Sequence, residues 1–160
     1  MSKKAIQSVA EANPAVSGVL VGRSDHQLDP KKRLTIPSGW RAVMGNPEFV
    51  YVMLDRKEKC LNLVPKAEMD VMLEELRRKA LFDPALNRIF QIIGESSEQL
   101  DLDSQGRIRI ADKLLQFANL TTTVAMVGSF RMLKLYAPET LGPDEVNIDE
   151  IDRLLTAAGM

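Results

Sequence analysis

The sequence predicts an α+β domain made of two related halves with a pair of helices between them. Three observations support this. The segment LDPKKRLTIPSGWR at residues 28–41 returns in weaker form as LDSQGRIRIADKLL at residues 102–115. At that offset of 74 residues, Leu28, Asp29, Arg33 and Ile36 match Leu102, Asp103, Arg107 and Ile110 identically, and Leu34 matches Ile108. A charged loop, an alternating strand, a short helix, a cap residue and an apolar hairpin then follow in the same order in both copies, as a duplication requires.

The elements follow in turn. Residues 1–15 are polar or small, show no period and contain Pro14, so a mobile arm is expected there. VSGVLVG at residues 16–22 reads as a strand, and after the charged loop Arg33-Leu34-Thr35-Ile36 alternates as a half-buried strand does. Pro37 stops it. Trp40, Val43 and Met44 share one helical face, and Gly45 suits a left-handed helix end. Their offset counterparts are Leu114, Phe117, Ala118 and Asn119. The apolar runs Phe49–Leu54 and Cys60–Val64, separated by Asp55–Lys59, read as a hairpin. With one residue deleted, Met53 and Pro65 line up with Met126 and Pro138.

Met69, Met72, Leu73 and Leu76 form one helical stripe, and Leu86, Ile89, Phe90 and Ile93 form another. The second has Asp83 as N-cap, Pro84 at the first helical position and Gly94 at its end. Ile148, Ile151, Leu154 and Leu155 give a last amphipathic helix, which either packs on the core or serves as a regulatory or oligomer contact. The expected organisation is an arm at 1–15, a first half at 16–65, a helical pair at 66–94, a second half at 95–138 and an acidic C-terminal helix at 139–160.

A net charge of −1 conceals a strong polarity. Residues 1–60 carry ten Lys/Arg against six Asp/Glu, residues 61–137 balance at ten each, and residues 138–160 carry one Arg against six acids. A basic surface masked by an acidic tail is compatible with a polyanionic partner. Aromatic residues make up only 5%, which argues against the base-stacking platforms of single-strand binders. One cysteine, Cys60, and one histidine, His26, cannot supply a disulfide or a zinc ligand set. No Gly-rich phosphate loop occurs. No metal or cofactor is therefore expected. Cys60 reads as a small buried hydrophobe and His26 as a surface residue rather than a proton switch. No run approaches the roughly 20 apolar residues of a membrane span, and MSKKAIQSVAEANP lacks a secretory apolar stretch, so a cytosolic protein is expected.

What both copies keep is Asp-x-x-x-Arg. A carboxylate there can organise backbone N–H groups of a turn or hold the Arg, leaving a pre-oriented guanidinium. Such a fork suits phosphate oxygens or guanine edges. Lys31 and Lys32 add charge in the first copy, and Arg109 follows Arg107 at same-face spacing in the second. The plain alternative is an internal ion pair that fixes the turn and binds nothing. A duplicated β-rich chain with one Asp per half also raises the aspartic-protease arrangement. Neither Asp-Pro-Lys nor Asp-Ser-Gln fits its Asp-Thr/Ser-Gly, and each Arg favours an ionised carboxylate. No catalytic residue is expected.

Together with VAMVGSFRMLKLYAPE at residues 124–139, the two motif segments closely resemble the MraZ family over about residues 16–140. These are bacterial transcriptional regulators of the AbrB-type swapped-hairpin fold, associated with the division and cell-wall gene cluster. The resemblance implies two intertwined hairpins forming a pseudo-two-fold, barrel-like domain, and protomers assembled into rings. It also implies a nucleoid-associated repressor that binds short direct repeats of double-stranded DNA upstream of its own gene. Arg33 and Arg107 are carried over as the first DNA-binding candidates, with Asp29 and Asp103 structuring the motifs. Lys31, Lys32, Arg23 and Arg41 are supporting candidates suggested by local charge. An AbrB-like oligomeric protein-interaction module without DNA binding is the alternative. Two departures stand out. The extension before Val16 is long for the family. The usual Lys-Gly-Arg of the first loop is Lys-Lys-Arg, so a positive φ at Lys32 would cost about 1 kcal/mol or more.

Overall fold

The computed structural model describes residues 18–160, so the arm expected at 1–15 lies outside the described residues. In chain order the described elements are β1 (Arg23–Gln27), β2 (Arg33–Thr35), α1 (Ser38–Val43), β3 (Phe49–Asp55) and β4 (Cys60–Val64). Next come α2 (Lys66–Ala80), α3 (Ala85–Ser96), β5 (Glu98–Asp101) and β6 (Arg107–Arg109). The chain finishes with α4 (Asp112–Phe117), β7 (Thr123–Gly128), β8 (Leu133–Tyr136), α5 (Pro138–Leu141) and α6 (Ile148–Ala157). Six strands form one antiparallel sheet in the order β1-β7-β8-β4-β3-β5, and β2 pairs with β6 in a separate two-stranded ribbon.

That order is unchanged when the halves are exchanged, β1 for β5, β3 for β7 and β4 for β8. The opening strand of each half pairs in the other half. β1 lies on β7, with Arg23 opposite Val127, and β5 lies on β3, with Asp101 opposite Phe49. In the ribbon, Leu34 faces Ile108, its own counterpart 74 residues away. The hairpins are thus swapped within one chain. β1 and β5 remain open edges, so the sheet does not close into a barrel.

Alternation explains the burial. Leu34, Ile36, Ile108 and Ile110 point inward from the ribbon at 0–2% exposure, onto Val50, Leu61, Leu63, Val124, Met126, Leu133 and Leu135 of the sheet. Each such side chain contributes about 1.5–3 kcal/mol on burial, so the ribbon is held by its inward face. The short helices close the ends of this core through Leu114, Leu115 and Met44. Gly45 and Asn119 end them at φ of 82° and 55°, the left-handed pair expected from the sequence. At the middle of the sheet Asn62 sits opposite Lys134, whose Nζ donates to Asp55 Oδ2 at 2.8 Å and to Asn62 Oδ1 at 3.0 Å. Burial alone would raise the Asp55 pKa, but the Lys134 ammonium and the Glu58 N–H bring it below the ordinary value.

Three sequence expectations differ in detail. Of the strand expected at residues 16–22, the described part forms only a bridge from Leu20 to Phe130, through bonds of 2.9 and 2.8 Å. Its backbone passes so close to Gly128 that a Cβ there would collide with it. Gly94 does not end α3, which runs to Ser96. The Ser97 hydroxyl donates to the Ile93 carbonyl at 2.7 Å. Pro84, not Asp83, is the N-cap of α3; Asp83 stands one position before the cap, its Oδ1 accepting from Ala85 N–H at 3.1 Å. α2 and α3 lie over β3, where Met69, Met72, Leu76, Phe90 and Ile93 flank a groove of about 560 Å³ with Tyr51 and Met53. α6 does not pack on the core: Ile148, Ile151, Leu154 and Leu155 are 42–65% exposed.

Candidate nucleic-acid interface

The two motif turns are built alike. Asp29 Oδ1 accepts from the backbone N–H groups of Lys31 at 2.9 Å and Arg33 at 2.8 Å, and its Oδ2 accepts from Arg33 Nε at 2.6 Å. Asp103 Oδ1 accepts from Gln105 at 2.9 Å and Arg107 at 3.0 Å, and its Oδ2 from Arg107 Nε at 2.7 Å. Backbone bonds close each loop, from Asp29 N–H to the Arg33 carbonyl and from Asp103 N–H to the Arg107 carbonyl, both 3.0 Å. One carboxylate therefore holds the turn with one oxygen and the guanidinium with the other. This leaves the two terminal nitrogens of each guanidinium for an outside acceptor. The Arg33 N–H is the main reason the Asp29 pKa lies below the ordinary value, and the Arg107 N–H acts likewise on Asp103. Both carboxylates are ionised at neutral pH.

Exchange of strands brings the two turns together. In the ribbon Arg33 is opposite Arg109 and Thr35 is opposite Arg107. Leu34 and Ile108 point into the core, so these four flanking residues share the outer face. The loops also fix each other: Ile36 N–H donates to the Gly106 carbonyl at 2.9 Å, and Ile110 N–H to the Lys32 carbonyl at 3.0 Å. Arg109, left out of the motif-led candidates, joins Arg33 and Arg107 here. Its spacing of two residues from Arg107 was the available signal.

The supporting candidates separate. Lys31 is exposed on the first loop. Lys32 has φ of 60°, the strained value anticipated if Lys replaced a required glycine, and its Nζ lies 3.0 Å from Asp112 Oδ1. The equivalent residue of the second loop is Gly106, at φ of 75°. Arg41 packs against Gly106 where a Cβ would collide with its guanidinium, and its Nε donates to the Ile36 carbonyl at 2.9 Å. It braces the second loop from the first half. Arg23 lies away on β1, bound to Asp25 at 2.9 Å and to the Gly142 carbonyl at 2.9 Å.

Among the described residues no His/Cys/Asp/Glu group is arranged to hold a metal, and no helix is long and apolar enough to cross a membrane. His26 shares a 2.7 Å hydrogen bond with Ser24 Oγ. Cys60 is fully buried, and burial pushes its thiol up to about 11, leaving it protonated and unreactive at neutral pH.

Fold and site together define a duplicated swapped-hairpin protein with two carboxylate-held arginines on one exposed ribbon. A family model described as "MraZ protein, putative antitoxin-like" matches residues 95–141. The transcriptional regulator MraZ of Photorhabdus laumondii is 30% identical over 117 residues, covering 72% of this chain and 77% of that protein. That of Pectobacterium atrosepticum is 31% identical over 115 residues, 71% and 76% of the two chains, and that of Clostridium tetani is 23% identical over 134 residues, 84% and 91%. The chain belongs to the MraZ family.

Replacing Lys32 by Gly removes a left-handed non-glycine residue worth about 1 kcal/mol and an exposed ion pair worth about 0–1 kcal/mol. The expected outcome in urea unfolding is stability unchanged or higher by up to about 1 kcal/mol. A clear loss would show that the contact with Asp112 outweighs the strain.

Proposed function

We propose that the protein is a sequence-specific DNA-binding transcriptional regulator whose DNA-facing edge is the β2–β6 ribbon with its two motif loops. The observation that supports this most is the outer face of the ribbon, where Arg33, Arg107 and Arg109 stand together above a buried Leu34–Ile108 pair. Two of these guanidiniums are oriented by a carboxylate that leaves their terminal nitrogens open. Lys31 and Lys32 add phosphate contacts, which set strength and salt sensitivity, while an Arg fork on a guanine edge sets sequence. Arg41 acts by bracing the Gly106 loop. The target is double-stranded DNA, short direct repeats upstream of its own gene, and the action is repression of the division and cell-wall cluster from a cytoplasmic, nucleoid-associated position. No step needs a cofactor or a catalytic group.

Self-association into a ring is part of the proposal. The uncovered apolar face of α6 and the groove beside α2 and α3 support it, because amphipathic faces of this kind need a partner. Linked protomers would place several ribbons on successive repeats, multiplying weak contacts through effective concentration. In light scattering, Leu154→Asp with Leu155→Asp is expected to lower the assembly mass. An unchanged mass would remove α6 from the interface.

An AbrB-like module that binds only protein is the competing reading, and salt separates the two. In gel shifts on the protein's own upstream DNA, wild type should lose affinity steeply with rising salt, with a logarithmic slope near −0.9 per phosphate neutralised. Arg33→Ala is expected to abolish specific binding while leaving assembly size unchanged, and Arg33→Lys should keep the salt slope but lose discrimination of about 1–3 kcal/mol. If Arg33→Ala instead unfolds the chain, the motif is a turn-fixing ion pair.

A further inference from the structure

We propose that α6 of one copy docks into the groove beside α2 and α3 of the next, so that the assembly is built from one repeated head-to-tail contact. This rests on the self-association reading above and adds to it which two surfaces meet and how they are oriented.

α6 is a helix that its own chain does not support. Its ten residues fall below the roughly 12–15 under which an isolated helix is marginal in water. Asn147 caps it by accepting from the Glu150 N–H at 3.0 Å, yet Ile148, Ile151, Leu154 and Leu155 all lie open to solvent. The place it starts from is fixed. Arg23 Nη1 donates to the Gly142 carbonyl at 2.9 Å and ties the connecting segment to β1. The groove lies over β3, and β7, β8 and β4 separate β1 from β3 in the sheet. At the usual strand spacing that is about 19 Å. The segment from Gly142 to Ile148 would have to run almost fully extended, at about 3.5 Å per residue, to bring α6 to its own groove. A second copy meets no such constraint.

The groove suits this occupant. Met53, Met69 and Met72 line it with Leu76, Phe90 and Ile93, and flexible thioether side chains mould themselves to a helix laid among them. At 1.5 Å per residue α6 is about 15 Å long and α2 about 22 Å, so the whole stripe can lie along the hairpin. Charge favours this pairing over two α6 helices packed together. Residues 138–160 carry six acids and one Arg, so two such helices repel. On the hairpin the cations gather at the turn, where Arg77, Arg78, Lys79 and Arg88 have only Asp83 among them. Arg77 and Arg78 share Glu74, while Lys79 and Arg88 take part in no ion pair among the described residues. The acids of α6, Asp149, Glu150 and Asp152, fall in its first half, so that end lies at the turn. Tail and groove are different surfaces. Each copy offers one of each, and the contact repeats from copy to copy until a ring closes.

The test is light scattering on wild type, a tail variant (Leu154→Asp with Leu155→Asp) and a groove variant (Leu73→Asp with Leu76→Asp), with thermal melts to confirm that each is folded. Each variant alone is expected at the mass of a single copy. Their equal mixture should form a complex of two copies and nothing larger, because only one intact tail and one intact groove can meet. Lys79→Glu with Arg88→Glu should raise the concentration needed for assembly at least about tenfold, and adding Asp149→Lys with Glu150→Lys should recover it. A groove variant that keeps the wild-type mass would overturn the proposal, as would a mixture that stays at single-copy mass. A loss that the added lysines do not recover would overturn the orientation. If wild type is itself a single copy, the self-association reading fails and this inference fails with it. If wild type assembles and the groove variant assembles equally well, only this inference fails.

Discussion

Everything in this molecule depends on the exchange of strands between its halves. β1 finds its ladder on β7, β5 on β3 and β2 on β6, so neither half contains the partners its own opening strands require. Lone strands with unpaired N–H and C=O groups are unfavourable in a packed protein, and the swap satisfies both halves at once. The same exchange drives the apolar face of the ribbon, Leu34 and Ile108, into the common core. With that face buried, a one-residue slip would turn Arg33 or Arg107 inward, so register is firmly specified. Stability and the outward placement of the arginines have one cause.

On this frame the two aspartates have a local task. Each ties the backbone of a tight turn to the guanidinium four residues on, turning a flexible side chain into an oriented fork. Were an outside acceptor to engage it, a fork oriented in advance would lose less side-chain entropy. The turns differ at the residue before the arginine. Gly106 accepts its left-handed backbone freely and leaves room for Arg41, whereas Lys32 holds the same conformation under strain and sets an ammonium beside Asp112. The second loop is thus braced by packing from the first half, and the first carries charge. The two turns share one plan and differ in what surrounds it.

Much of this was legible in the sequence, and what was not has physical reasons. The echo of Leu28, Asp29, Arg33 and Ile36 at an offset of 74 disclosed both loops and both helix ends, because turns and caps are local and their residue requirements are strict. Periodicity also located the hairpins and the inserted helices. Pairing between residues 74 apart leaves no such local mark; the family resemblance, not alternation, pointed to the swap. Charge alone could not tell Lys31, open on its loop, from Arg23, occupied by Asp25 and the Gly142 carbonyl, or from Arg41 against Gly106. Nor could it promote Arg109, whose position opposite Arg33 depends on a register that only the folded chain shows. The stripe of α6 was visible, but an apolar stripe does not say whether its cover comes from the same chain.

The central claim is that the halves form one cooperative unit through their exchanged strands. Native-state hydrogen exchange across a denaturant series tests it directly, because each amide reports the free energy of the opening that exposes it. The account predicts that the protected amides of the ribbon and of β3, β4, β7 and β8 merge into a single isotherm at the global unfolding free energy. Leu34 and Ile108 should exchange together. Two separate isotherms, one for the strands of each half, would contradict it.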